Sequence, residues 1–156
     1  MMDNPLRLVR WAVHVTACGL LLFAVVSVLR EGRAAEALGG ALLGLLYAAG
    51  PAVEERPPLA RVWLGLVTAG WLVLAAAAPP FVWVVLPLLF AYPHVLPLWA
   101  AMFGVTVLTS ATVAAAAWHA GGLSLPVLLG PGGAAVVVTL LALACRALRA
   151  EPRVRP

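Results

Sequence analysis

The sequence predicts an all-α protein, a polytopic bundle of six transmembrane helices. Of its 156 residues, 64% are hydrophobic and only 10% are charged. A water-soluble domain of this size needs far more charged side chains to cover its surface, so lipid must surround most of the chain. All ten basic residues are arginine, and they flank apolar runs instead of forming one basic patch. We therefore expect the arginines to orient helices in a bilayer, and we expect no nucleic-acid partner.

The first three spans are predicted at 8–29, 35–50 and 61–78. The first is long enough to cross a bilayer and has no convincing signal-peptide cleavage site, so we expect it to be retained. The second is short, and would thin the bilayer locally or use its flanking residues. Between the second and third, "GPAVEERPPLAR" combines prolines with charges and predicts a loop. Pro79-Pro80 ends the third span.

The stretch "FVWVVLPLLFAYPHVLPLW" predicts two further spans joined by a turn. One helix from Phe81 to His119 would be about 60 Å long, roughly twice the thickness of the hydrocarbon core. We expect the chain to reverse at Tyr92–His94, where a proline and interface-tolerant side chains coincide. The fourth span is then 81–91, short and kinked at Pro87, and the fifth is 96–118.

The last span is predicted at 125–148, with a glycine- and proline-rich break, "GPGG", at 130–133. Two paths are compatible with this break: a short or re-entrant piece followed by a helix from Gly133, or one long helix broken near its outer end. Together the six spans form a single membrane domain, 1–149, followed by a short cytoplasmic tail, 150–156.

Arginine counting orients the bundle with both termini in the cytoplasm. Arg30 and Arg33 alone lie outside. The inner set is Arg7, Arg10, Arg56, Arg61, Arg146, Arg149, Arg153 and Arg155. This positive-inside distribution requires an even number of spans. The arginine-only basic set and the alanine, glycine and valine excess are typical of bacteria with GC-rich genomes, so the expected location is a bacterial cytoplasmic membrane.

Trp83, Trp118, His119 and Ser124 are candidates for an outward-facing ligand pocket. The alternative is an aromatic belt that anchors helix ends at the membrane interface. A separate candidate is His94, which is expected at the inner interface, either as a titrating or ligand-contacting group or as a solvated turn residue.

Two residue pairs have helical spacing. Gly40 and Gly44 form a GxxxG motif, which allows close packing of helices within the chain or between protomers. His14 and Cys18 lie one turn apart, a spacing found in metal sites, but no further ligand is evident and a packing histidine is favoured. We expect no metal or cofactor, and no disulfide between Cys18 and Cys145, because these two residues lie at different depths.

Carboxylates and arginines are absent from the centres of the predicted spans. Ion-coupled transporters need such a group at depth, and intramembrane hydrolases need a nucleophile and base or a metal. Their absence weighs against both transport and catalysis.

The motifs "RWAVHVT", "LLYAAGP", "FVWVVLPLLFAYPHVLP" and "AWHAGGLSLPVLLGPGGA" resemble, in order and spacing, the N-terminal membrane region of bacterial NarL/DesK-type sensor histidine kinases. The similarity extends from about Arg10 to Arg149. It implies a sensory membrane domain, in which a signal shifts the hairpin 81–119 against the last span, with a homodimer and a kinase module or response regulator as partners.

Full-length relatives would continue into a phosphoacceptor helix and an ATP-binding domain, and neither motif follows "CRALRAEPRVRP". We therefore expect no enzymatic activity, as for a truncated paralogue or one product of a split gene. The alternatives are a subunit of a small multi-span transporter or channel and a structural membrane partner.

Overall fold

The computed structural model describes residues 4–53 and 56–150, and within those ranges it is helical and contains no strand. The helices are α1 (Asn4–Arg30), α2 (Ala34–Ala48), α3 (Gly50–Val53), α4 (Pro57–Ala77), α5 (Val85–Val95), α6 (Leu98–Ala120) and α7 (Leu125–Ala150). A 3₁₀ segment, Pro79–Val84, leads into α5. The predicted all-α class is therefore confirmed.

Among the described residues, four helices are long and apolar enough to cross a membrane. Their apolar parts are Trp11–Arg30, Pro57–Ala77, Leu98–Ala120 and Leu125–Ala147. The other two apolar segments, Ala34–Ala48 and Pro79–Val95, are shorter. By length alone, the structure supports a membrane-embedded helical protein with four clear spanning helices.

Successive long elements run in opposite directions through the bundle, which therefore has two ends. At the basal end α1, α4 and α6 begin and α2, α5 and α7 end; at the apical end α1, α4 and α6 end, and α2, the 3₁₀ segment and α7 begin. Side-chain hydrogen bonds hold the elements together at each end. At the apical end Arg33 reaches the carbonyl of Ala77, and at the basal end Arg146 reaches that of Pro93.

The segment 79–95 is the centre of the bundle. Most of its side chains are buried, including Phe81, Leu88 and Leu89, each at most 1% exposed. It packs against α1, α4, α6 and α7. By contrast, long helices such as α1 present exposed leucine and phenylalanine side chains on their outer surface. The shortest predicted span is therefore an inner helix, and the long helices form the surface that lipid would cover.

The predicted chain reversal between the fourth and fifth spans exists, but the turn at Tyr92–His94 is wrong. Helix α5 continues through Pro93 to Val95, and the chain turns at Leu96 and Pro97. Leu96 is extended, with φ −108° and ψ 155°, because the ring of Pro97 disfavours helix in the residue before it. Pro93 removes only one intrahelical hydrogen bond, which a packed helix tolerates.

The break predicted at 130–133 is also wrong. Helix α7 runs without interruption from Leu125, with Pro131 inside it. Of the two predicted paths, neither the re-entrant piece nor the broken helix occurs. Pro131 lies near the beginning of α7, where the missing N–H costs one hydrogen bond early in a long helix.

The other predicted boundaries lie within a few residues of the observed ones. Helix α4 ends at Ala77, just before Pro79-Pro80, and the predicted loop between the second and third spans contains the short helix α3. Glu54, Glu55, Arg153 and Arg155 lie outside the described residues, as does almost all of the predicted tail.

Candidate functional site

A partly open cavity of about 300 Å³ lies at the basal end, between α1, the end of α2, α4 and α5. Proline, glycine and small apolar residues form much of its wall, and five side chains with aromatic rings also line it. These are His14, Tyr47, Trp63, Phe90 and His94. The cavity therefore combines a rigid backbone, set by the prolines of the neighbouring loop, with flat side-chain surfaces.

The rings of the cavity contact one another in two groups. The centroid of the Tyr47 ring lies 5.8 Å from that of His14 and 6.0 Å from that of Trp63, with tilted planes. Across the cavity, the centroids of Phe90 and His94 are 4.6 Å apart. These distances are in the range of favourable aromatic contacts, so the walls support one another.

Two hydrogen bonds fix the orientation of these rings. Trp63 donates from Nε1 to the carbonyl of Leu46, at 2.6 Å. The Nδ1 atom of His94 lies 2.9 Å from the carbonyl oxygen of Phe90. Because a carbonyl only accepts, Nδ1 of His94 carries the hydrogen. Both rings are therefore held in place in the cavity wall.

Arg146 of α7 contacts the end of α5 beside the cavity. Its Nη1 atom lies 3.1 Å from the carbonyl oxygen of Pro93 and 3.4 Å from that of Leu96. In a continuing helix the N–H of residue 97 would bond the Pro93 carbonyl, but Pro97 has none. Arg146 supplies the missing donor, and its positive charge also suits the negative end of the α5 dipole. Arg146 therefore joins α7 to α5, one of the helices that line the cavity.

At the apical end, His119 likewise supplies a donor to a carbonyl that a proline leaves without one. Its Nε2 atom lies 2.8 Å from the carbonyl oxygen of Ala75. The usual helical donor to that carbonyl would be the N–H of residue 79, which is a proline. Nε2 therefore carries a hydrogen, and the contact ties α6 to the end of α4.

The other three residues of the predicted outward-facing pocket have different surroundings. Trp118 is 80% exposed and projects away from the bundle. Trp83 is half exposed and lies beside Gly130 of α7. Ser124 is exposed just before α7. A shared role of these side chains and His119 in ligand binding stays a prediction.

His94 lies at the basal end and borders both the main cavity and a second cavity of about 180 Å³ next to Arg146. A titrating role for it stays a prediction. His14 packs against Tyr47, whereas Cys18, one turn further on, is exposed. Within the described ranges, no cluster of three or more histidine, cysteine or acidic side chains could hold a metal ion.

The two glycines of the GxxxG motif differ in how closely other side chains of the same chain approach them. A Cβ atom at Gly40 would lie 2.7 Å from the ring of Phe81 and from Val25. A Cβ atom at Gly44 would have only ordinary contact, 3.9 Å, with Leu21. Gly40 thus allows the close approach of α2 to α1 and the 3₁₀ segment.

Four important side chains of the basal end were not predicted from the sequence: Tyr47, Trp63, Phe90 and Arg146. A usable signal existed for Arg146. A proline at position 97 leaves the carbonyl four residues earlier without a donor, and an arginine from the same membrane face can provide one. No comparable signal marks the cavity rings, because their grouping depends on how four helices pack.

Comparison with protein-family models, with curated proteins and with solved structures gave no match for this chain.

Proposed function

We propose that the chain is a sensory membrane domain of a bacterial two-component system, with no catalytic activity of its own. The sequence resemblance to the membrane regions of sensor kinases supports this function. The observation that carries it is the bond from Arg146 to the end of α5, because it couples the last helix to the segment that lines the cavity.

The proposal includes six membrane crossings. The segment 79–95 combines six 3₁₀ residues with eleven α-helical residues, and extends about 28 Å, close to the hydrocarbon thickness of about 30 Å. A 3₁₀ segment rises more per residue than an α-helix, which compensates for the small number of residues. Helix α2 is shorter, at about 22 Å, and would thin the bilayer locally.

The basal end faces the cytoplasm in this proposal. Arg56, Arg61 and Arg146 lie there, whereas Arg30 and Arg33 lie at the apical end beside Glu31 and Glu36. An excess of arginine on one face is the usual mark of the cytoplasmic side. Both termini are then cytoplasmic, and α7 points towards a cytoplasmic kinase module or response-regulator system.

In this mechanism a signal changes the packing of α5 at the basal end, and Arg146 passes the change to α7. The signal shifts the population of two arrangements, one with the Arg146 bond formed and one without it. In a homodimer, rotation or displacement of α7 would change the relation between two attached kinase modules.

A chimera tests the proposed function. Residues 1–150 are fused in helical register to the dimeric core of a sensor kinase, and autophosphorylation is measured in inverted membrane vesicles. Arg146→Gln should change basal autophosphorylation several-fold, because α7 loses its attachment to α5.

Arg61→Gln is the matched control, since it removes the same charge from an exposed position at the same end. The control should leave kinase activity near that of the parent chimera. Equal activities in the parent, the Arg146 variant and a chimera whose membrane helices come from an unrelated protein would refute a sensory role.

A further inference from the structure

The basal cavity has a chemical character that defines a ligand class. The thirteen described residues that line it include no aspartate, glutamate, lysine or arginine. Small apolar and aromatic side chains form most of this described wall, so it favours a ligand that is itself largely apolar. Its volume of about 300 Å³ is at the small end of the range for small-molecule sites.

The shape of the wall favours a flat molecule. Tyr47 and Trp63 form one side and Phe90 with His94 the other, and tilted neighbours fix each ring in position. Ring faces bind other ring faces and edges through offset or edge-to-face contacts, which a puckered saturated ring cannot reproduce. Ala91, which also lines the cavity, adds only a methyl group to its wall.

We propose that this cavity binds a flat, lipid-soluble ring compound. Binding takes place on ring faces and is independent of signalling; only its effect on α7 rests on the proposed function. A ligand in contact with Phe90 and His94 would lie within one helical turn of Pro93, whose carbonyl Arg146 holds. The cavity is thus positioned to convert ligand occupancy into a change at the end of α5.

Equilibrium dialysis of tritiated 2-naphthol against the full chain in nanodiscs of zwitterionic lipid tests the proposal, with empty nanodiscs subtracted. We expect saturable binding of one molecule per chain. Decahydro-2-naphthol has the same carbon skeleton and hydroxyl group but is puckered, and should compete at least about tenfold less well.

Phe90→Leu removes one ring from the wall and should weaken binding about three- to tenfold. The control Phe103→Leu makes the same change at a side chain of α6 that is 72% exposed, and should bind like the parent. If Phe90→Leu fails to fold, as judged by gel filtration, Tyr47→Leu removes a ring from the opposite side.

No saturable binding by the parent chain, equal competition by the puckered alcohol, or equal weakening by the Phe103 control would each overturn the proposal. A failure of the kinase chimera together with intact binding of 2-naphthol would count against the sensory function alone.

Discussion

The Nη1 atom of Arg146 lies 3.1 Å from the carbonyl oxygen of Pro93, fifty-three residues earlier in the chain. The contact exists because Pro97 cannot donate to that carbonyl. His119 and Ala75 have the same relationship at the other end of the bundle, where Pro79 is the residue without an N–H. Each proline break is thus compensated by a side chain from a distant helix, as is common where helices are interrupted within a bilayer.

Loss of the Arg146 contact should destabilise the bundle. We expect Arg146→Gln to lower the free energy of unfolding by about 1 to 2 kcal/mol, because a charged hydrogen bond to the end of α5 is lost. Denaturant unfolding of the protein in mild detergent measures this effect.

A double-mutant cycle with Pro97→Ala isolates the cause. Alanine restores an N–H at position 97, so Arg146→Gln should cost about 1 kcal/mol less in that background. An unchanged cost in both backgrounds would mean that Arg146 does not compensate for the proline.

His119→Phe should cost about 1 to 3 kcal/mol of unfolding free energy, since the carbonyl of Ala75 loses its donor in a partly buried place. His119→Gln retains an N–H donor and should recover part of the loss. The neighbouring substitution Trp118→Phe affects an 80% exposed side chain and should change stability by less than about 0.5 kcal/mol. Equal effects of the two His119 variants would argue against the hydrogen bond.

The two glycines of α2 should respond in opposite ways to alanine. At Gly40 the new methyl group would overlap the Phe81 ring and Val25, and we expect a loss of about 1 to 3 kcal/mol. At Gly44 there is room, and the higher helix propensity of alanine should make the change neutral or stabilising by up to about 1 kcal/mol. Thermal unfolding of both variants in the same detergent gives the comparison; similar melting temperatures would contradict the packing of α2 described above.

Trp71 joins α4 to the 3₁₀ segment. It is fully buried and donates from Nε1 to the carbonyl of Phe81, at 2.9 Å. Trp71→Phe should therefore cost about 2 to 4 kcal/mol through the lost hydrogen bond and the lost ring volume. The same substitution at Trp99, which is 77% exposed, is the control and should have little effect on unfolding. A small effect at both positions would mean that the 3₁₀ segment is not held by α4.

The helical class and most helix ends could be predicted from the sequence because charges and prolines mark them. Arg30 ends α1, and Pro79-Pro80 ends α4. The position of the second turn could not be predicted as well. Pro93 and Pro97 are both candidates for a helix break, and only the packed structure shows that α5 continues through the first of them.

The burial of α5 also could not be predicted from the sequence. In water, a core helix and a surface helix differ in polarity, but in lipid both are apolar. The run from Val85 to Phe90 therefore has the same hydropathy whether it faces lipid or protein. The basal cavity has the same limitation: Tyr47, Trp63 and Phe90 come from three separate helices, and their meeting depends on tertiary packing.

Labelling of single cysteines in intact cells tests most directly the proposed orientation of the bundle, on which the cytoplasmic output of α7 depends. Ser124→Cys and Leu98→Cys, each in a chain with Cys18 and Cys145 replaced by alanine, are exposed to a membrane-impermeant maleimide. We predict rapid labelling at position 124 and labelling at position 98 only after the cells are opened, because in the proposed orientation α6 runs from the cytoplasmic to the outer face. Labelling at position 98 from outside, with protection at position 124, would invert the bundle and remove the cytoplasmic output of α7.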